Sequence, residues 1–220
     1  MLGIEMELRK AVTEAGQDLA RQGMMPGAAG NLSTRLDEAH VLMTPSGVAK
    51  WRLQPEELLV LDLEGRVVSG LGRPSSESPL HLALYRRYPD VGGVIHAHPP
   101  KTTAMAVAHR PISVGILAEA LFTLGDVTWV EYRPPSDAEL ASAVVDKIEG
   151  ADAVVLLSHG SLTVGRTVGS AARKMETLEA LASVLFDAHL LGNVVPLPED
   201  EVERLRNQWQ QRRWQRESGM

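Results

Sequence analysis

The chain has 220 residues, 44% of them hydrophobic, and a formal net charge of −6. That length suits one sizeable core, so a single domain over residues 1–220 is expected, and the acidic balance argues against nucleic acid as a partner. There is no cysteine, which removes disulfides and thiolate metal sites and leaves His, Asp and Glu as the ligands for any metal.

Glu5, Glu7 and Arg9 interrupt the N-terminal stretch, so no signal peptide is expected there. No apolar run approaches the roughly 18–20 residues of a membrane span, so no membrane partner and a cytoplasmic location are expected.

Residues 4–22 carry Ile4, Leu8, Val12, Ala15 and Leu19 on one helical stripe, and Gly23 is placed to end it. Met24 to Gly30 is a loop of small residues. Asn31–Arg35 and 41–43 read as adjacent strands, and Thr44-Pro45-Ser46-Gly47 as a turn. A strand over 58–63 turns at Glu64-Gly65 into Arg66-Val67-Val68, a hairpin. Residues 78–88 form a helix carrying Leu80, Leu84 and Tyr85, which Pro89-Asp90 breaks.

The next strand, Val91-Gly92-Gly93-Val94-Ile95, ends in His96-Ala97-His98. A helix follows over Thr102–Val107, then a strand over 127–132. Ser136 caps a helix to about Ile148, with Glu139 at the third position of a capping box. Ala153–Leu157 is a strand that leads to His159. The longest helix runs from Ser170 to Leu191 and stops at Gly192-Asn193; another begins at Glu199. Early strands in hairpin succession and later strands separated by helices predict a mostly antiparallel sheet with helices on both faces.

In a strand, side chains two apart point the same way, so His96 and His98 can grip one divalent ion. An imidazole ending a buried strand is costly unless something bonds it. His159 occupies a similar place before Gly160, and Glu77 stands at a loop-to-helix junction. Three histidines and a carboxylate suit Zn²⁺ best; ligand type alone also admits Co²⁺, Mn²⁺ or Fe²⁺. His40, His81, His109 and His189 lack that context and read as surface or structural residues, His81 with a further reading as a partner behind Glu77.

Gly30-Asn31, Ser46-Gly47 and Ser75-Ser76 are rich in small donors, which together can surround a phosphate without any lysine. Singly, each is an ordinary turn or helix cap. The basic run Arg204 to Trp214, with Trp209 and Trp214, reads as a packing helix at the surface or an oligomer interface; base stacking is the competing reading.

Gly-Asn-Leu-Ser at 30–33, Thr-Pro-Ser-Gly at 44–47, Ser-Ser-Glu at 75–77, Tyr-Pro-Asp-Val at 88–91, His-Ala-His at 96–98 and Ser-His-Gly at 158–160 occur in one order. With these motifs the chain resembles the class II aldolase/adducin family over residues 5–192. The resemblance implies a three-layer α/β/α sandwich with a mostly antiparallel central sheet. It also implies a C4 homotetramer with sites at subunit interfaces, the tail from residue 198 onward contributing to one. Zn²⁺ is implied on His96, His98 and His159, with Glu77 as a further ligand that becomes the base when substrate displaces it. Asn31, Ser46, Gly47, Ser75 and Ser76 are implied to hold the substrate phosphate.

The implied reaction is cleavage of a small ketose 1-phosphate to dihydroxyacetone phosphate and an aldehyde. Epimerases, dehydratases of the methylthioribulose-phosphate type and decarboxylases of the family would use the same site, whereas adducin-like heads are interaction modules. Two departures stand out. Leu117 takes the place of a tyrosine that donates a proton in the fuculose phosphate aldolases, and Glu119 lies about two positions from the catalytic glutamate of the dehydratases. The tail offers Trp209 and Trp214 where the aldolases have a tyrosine.

Overall fold

The computed structural model describes residues 2–135 and 138–213. Its first element is helix α1, Leu2–Arg21, which buries Val12, Ala15 and Leu19 and leaves Ile4 exposed. The helix ends as the stripe predicts: Gly23 adopts φ 79°, and Met24 N donates back to Leu19 O at 2.9 Å while Gly23 N donates to Ala20 O at 3.0 Å. This is a Schellman closure, which needs a residue free to turn left-handed.

Eight strands form one sheet: β1 Asn31–Arg35, β2 His40–Met43, β3 Leu59–Asp62, β4 Val67–Ser69, β5 Gly93–Ala97, β6 Val127–Val130, β7 Ala153–Leu156 and β8 Gly160–Gly165. Their order is β4-β3-β2-β1-β5-β8-β7-β6. Every pairing is antiparallel except β6 with β7. That one parallel pair needs a crossover, which helix α5, Ala138–Ile148, supplies. The expected mostly antiparallel α/β architecture is the one observed.

Helices cover both faces. On one side lie α1, α3 (Pro100–Val107), α4 (Ala118–Leu124) and α6 (Val168–Leu191), contributing Val12, Met105, Leu121, Met175 and Leu178 to one core. On the other lie α2 (Ser78–Arg87) and α5, contributing Leu80, Leu84, Tyr85, Val144 and Ile148. The strands feed both cores by alternation. In β7, Ala153 and Val155 face the first core, and Val154 and Leu156 the second.

Two elements lie outside the expected pattern, and one helix starts earlier than expected. Strand β8 was not anticipated: Gly-Ser-Leu-Thr-Val-Gly has two apolar residues, Leu162 and Val164, on one face only. Its other face is polar yet fully buried, because α6 receives it: Ser161 Oγ donates to Met175 Sδ at 3.3 Å and Thr163 Oγ1 to Ala171 O at 2.8 Å. Helix α4 was also not anticipated; seven residues are too few for a periodic stripe to stand out. Helix α6 starts at Val168 rather than Ser170, since Thr167 is the cap and Ser170 the third residue of a reciprocal capping box.

The last described helix, α7 (Glu199–Arg212), docks on its own chain. Leu205 and Trp209 are buried, and Trp209 Nε1 donates to Asp152 Oδ2 at 3.2 Å. The indole lies against Gly125, at the end of α4, where any Cβ would overlap the ring. This burial against the chain's own residues removes Trp209 from base stacking. Trp214 and the capping residue Ser136 lie outside the described residues. No helix among the described residues is long and apolar enough to cross a membrane.

Candidate metal centre

The sheet register builds the site. His96 sits in β5 directly opposite Asn31 of β1 on one side and Leu162 of β8 on the other. It is fully buried. His98 follows just past the end of β5, and its backbone N donates to Met24 O at 2.8 Å. His159 comes from the tight connection between β7 and β8, where Ser158 takes φ 55° and His159 N donates to Leu156 O at 3.1 Å. A left-handed serine costs of order 1 kcal/mol and is held here because two paired strands fix both its ends.

The three imidazoles converge. Ring centroids lie 4.9 Å (His96 to His98), 4.7 Å (His96 to His159) and 5.3 Å (His98 to His159) apart. Each ring offers a ligand nitrogen, and all three nitrogens fall within 4.8 Å of one another. His96 Nε2 and His98 Nε2 approach to 3.0 Å. Glu77, the residue before α2, closes the group: Oε2 is 3.3 Å from His96 Nε2 and Oε1 is 3.4 Å from His159 Nε2.

The donor set fits a divalent cation. His96 Nδ1 lies 3.0 Å from Ser161 O and donates to it, which turns the Nε2 lone pair toward the cluster. Burial, followed by the neighbouring His159 and His98, holds the His96 imidazole well below its usual pKa; burial and His159 lower His98 too. Both rings are therefore neutral near pH 7, the form that ligates metal. Glu77 Oε1 is buried without a hydrogen bond. A buried carboxylate oxygen that faces imidazole nitrogens without a hydrogen bond is costly in a protein alone and is satisfied by a cation among them.

The small-donor segments meet at the same place. One cavity of about 230 Å³ is lined by Gly30, Asn31, Ser46, Gly47, Ser75, Ser76 and Glu77, together with His98 and His159. The loops are tied to each other: Ser46 N donates to Arg73 O at 2.9 Å, and Pro45 bridges Pro74. Asn31 Nδ2 donates to Glu77 Oε2 at 2.8 Å, which commits part of that amide to the carboxylate.

The sequence-predicted residues His96, His98, His159, Glu77, Asn31, Ser46, Gly47, Ser75 and Ser76 thus come together, though they span five separate segments. Leu117 and Glu119 do not line this cavity; Leu117 precedes α4 and Glu119 is exposed on its first turn. His81 is fully buried one turn beyond Glu77. Its Nδ1 bonds Ser33 Oγ at 2.7 Å, Ser33 Oγ bonds Tyr85 OH at 2.9 Å, and burial pushes His81 down to about 3.

One lining residue was missed. Lys50 follows the Ser46-Gly47 turn and is 1% exposed. The available signal was a single lysine inside the apolar stretch Val48-Ala49-Lys50-Trp51, directly after a small-donor turn.

The sequence matches the model of the class II aldolase and adducin N-terminal domain over residues 10–186. It is 33% identical to the 5-methylthioribulose-1-phosphate/5-deoxyribulose-1-phosphate aldolase of Rhodospirillum rubrum, over 93% of this chain and 92% of that protein. It is also 33% identical to the methylthioribulose-1-phosphate dehydratase of Methylococcus capsulatus, over 80% of this chain and 92% of that protein. Among solved structures, L-fuculose-1-phosphate aldolase from Thermus thermophilus superposes with a TM-score of 0.76 at 31% identity, covering 87% of this chain and 98% of that one. Relatives of the chain are aldolases, dehydratases and decarboxylases of sugar phosphates. With its histidine triad and this match over most of its length, the chain belongs to the class II aldolase/adducin family.

Proposed function

We propose that the protein is a zinc-dependent aldolase that cleaves a small ketose 1-phosphate to dihydroxyacetone phosphate and an aldehyde. The observation that carries this reading is the sharing of one cavity by the metal-ligand group and the small-donor loops. A divalent ion on His96, His98 and His159 supplies Lewis acidity toward the ketose carbonyl. The chain's own groups do the rest. Ser46, Gly47, Ser75 and Ser76 take the phosphate through hydroxyls and backbone N–H groups and set the register of the sugar. When the carbon–carbon bond breaks, its electron pair stays with the three-carbon phosphate, and the hydroxyl on the departing carbon gives its proton to the Glu77 carboxylate as the aldehyde forms. Glu77 returns a proton to the carbon left electron-rich, and Oε1 is the oxygen free for that task. A C4 homotetramer is part of the same reading.

Among the described residues, Glu77 is the one carboxylate lining the cavity, which favours the aldolase over a dehydratase that would employ Glu119. The test is a coupled assay for dihydroxyacetone phosphate with zinc-loaded protein. The panel is 5-deoxyribulose, 5-methylthioribulose and L-fuculose 1-phosphates, compounds named for its relatives. Release of dihydroxyacetone phosphate from at least one supports the aldolase. Consumption of a substrate without it points to a dehydratase, epimerase or decarboxylase. No bound zinc and no turnover after zinc addition would leave an adducin-like interaction module.

A further inference from the structure

We propose that Lys50 is the charged anchor for the substrate phosphate, contributing an ion pair that the small-donor loops cannot make. The inference rests on the reading of the cavity as a phosphate site and adds to it a residue and a charge.

Lys50 begins a short 3₁₀ turn, Lys50–Arg52, behind the Ser46-Gly47 turn. Its stem packs inward: a Cβ built on Gly16 of α1 would lie 3.7 Å from Lys50 Cβ. Nζ donates to Val48 O at 2.9 Å and to Ala28 O at 3.1 Å. Those two carbonyls belong to the two loops that bring Ser46-Gly47 and Gly30-Asn31 to the cavity, and Ala28 itself lines the cavity. An ammonium has three hydrogens. Two are used, and the third has no protein acceptor among the described residues.

The charge is also uncompensated. Among the described residues no carboxylate lies within ion-pair distance of Lys50, although the residue is 1% exposed. Burying an ammonium against two neutral carbonyls alone is costly, and burial lowers Lys50 to about 8. It is still mostly protonated at pH 7. Among the described residues, Lys50 is the one lysine or arginine lining this cavity, and the other titratable groups that line it are Glu77, His98 and His159. A phosphate monoester brings about −1.5 to −2 charge at pH 7 and three acceptor oxygens, so it meets both needs of Lys50 at once. The alternative is a purely structural pin between the two loops, which would also affect phosphate binding if removed. The test must therefore read Lys50 itself.

The probe is inorganic phosphate, titrated calorimetrically into zinc-loaded protein, with Lys50→Gln as the variant; glutamine can still donate to the carbonyls but carries no charge. The expected result is binding weakened roughly tenfold or more, with zinc content unchanged. Equal affinity in wild type and variant overturns the proposal. In parallel, wild-type protein labelled at lysine Cε is titrated by NMR with and without saturating phosphate. An ion pair raises the pKa of the Lys50 resonance, whereas an unchanged titration leaves Lys50 as a pin and overturns the proposal, even should the variant fail to fold. Absence of any phosphate binding by wild-type protein would instead remove the phosphate reading of the cavity, and this proposal with it.

Discussion

Asn31 Nδ2 donates a 2.8 Å hydrogen bond to Glu77 Oε2, joining the first sheet strand to the cap of α2. Asn31 is also the direct cross-strand partner of His96, so one residue sets the carboxylate against the imidazole. The bond leaves Oε1 as the oxygen without a hydrogen bond. Asn31→Ala should therefore let Glu77 swing while the triad stays in place. Turnover should fall about 10- to 100-fold, in the range seen when a group supporting a metal site is removed. Steady-state kinetics with parallel zinc analysis checks this; undiminished turnover would show that Glu77 needs no such anchor.

Removing the ligands and removing the base should separate. His96→Ala deletes a nitrogen at the centre of the triad, and the purified protein should hold little zinc by elemental analysis. Glu77→Gln keeps the shape and leaves three nitrogens, so it should keep zinc and lose turnover by about 100-fold or more, the usual scale for a general acid–base group. A fully active Glu77→Gln variant would falsify the assignment of Glu77 as the base.

The metal ligands were legible because their chemistry is local: His96 and His98 are two apart in a strand, and an apolar run ends just before His159. What brings them to Glu77 is not local. It depends on β5 lying between β1 and β8, and β8 hides its strand character in Ser161 and Thr163, whose hydroxyls are satisfied by a helix that follows in sequence. Lys50 was missed for a similar reason. A lysine ordinarily reads as surface, and its burial follows from carbonyls at Val48 and Ala28 whose placement only the folded loops supply. The docking of Trp209 in its own chain depends likewise on Gly125 and Asp152, both distant in sequence.

Gly160 begins β8 immediately after His159, and a Cβ there would lie 2.5 Å from Ala97 O and 2.8 Å from His98 Cδ2. The carbonyl is fixed in a paired strand, so the imidazole must give way. Gly160→Ala should weaken zinc binding by displacing His98, and cost about 1–3 kcal/mol of stability as an overpacking change. Competition with a chromogenic chelator measures the first and urea unfolding the second. Wild-type zinc affinity would mean that His98 has room to shift without leaving the cluster.

His81 makes the metal-free protein acid-sensitive. Its pKa falls from an ordinary 6.5 to about 3, first through burial and then through the His96 charge. Between those values the unfolded chain binds the proton and the folded chain does not, so stability rises with pH through this window. The contribution is fully present above about pH 6.5 and is lost as pH falls toward 3, at up to about 1.4 kcal/mol per pH unit. Urea midpoints of chelator-treated protein should drop steadily from pH 6.5 to 4.5, and His81→Gln should flatten part of that slope. An unchanged slope in the variant would assign the acid sensitivity to His96 and His98 instead.

Trp209 anchors α7, and its removal should test stability without touching the metal centre. The indole is buried against Gly125 and donates to Asp152 Oδ2, which also accepts from Lys174 Nζ at 2.8 Å; Asp152 Oδ1 accepts from Arg213 Nε at 2.7 Å. Asp152 is 1% exposed, so these donors hold a buried carboxylate. Trp209→Ala removes one donor and most of the apolar contact of α7, leaving Leu205 as the remaining buried residue of the helix. The expected loss is about 3–5 kcal/mol, the range for large aromatic-to-alanine changes in a core. Trp209→Phe should recover most of it, because the ring refills the space over Gly125 and forfeits only the N–H bond. Zinc content should match the wild type in both variants, since Gly125, Asp152 and Arg213, which contact Trp209, do not line the cavity with His98 and His159. A loss of zinc in the phenylalanine variant would show instead that α7 and the metal centre are coupled through the sheet.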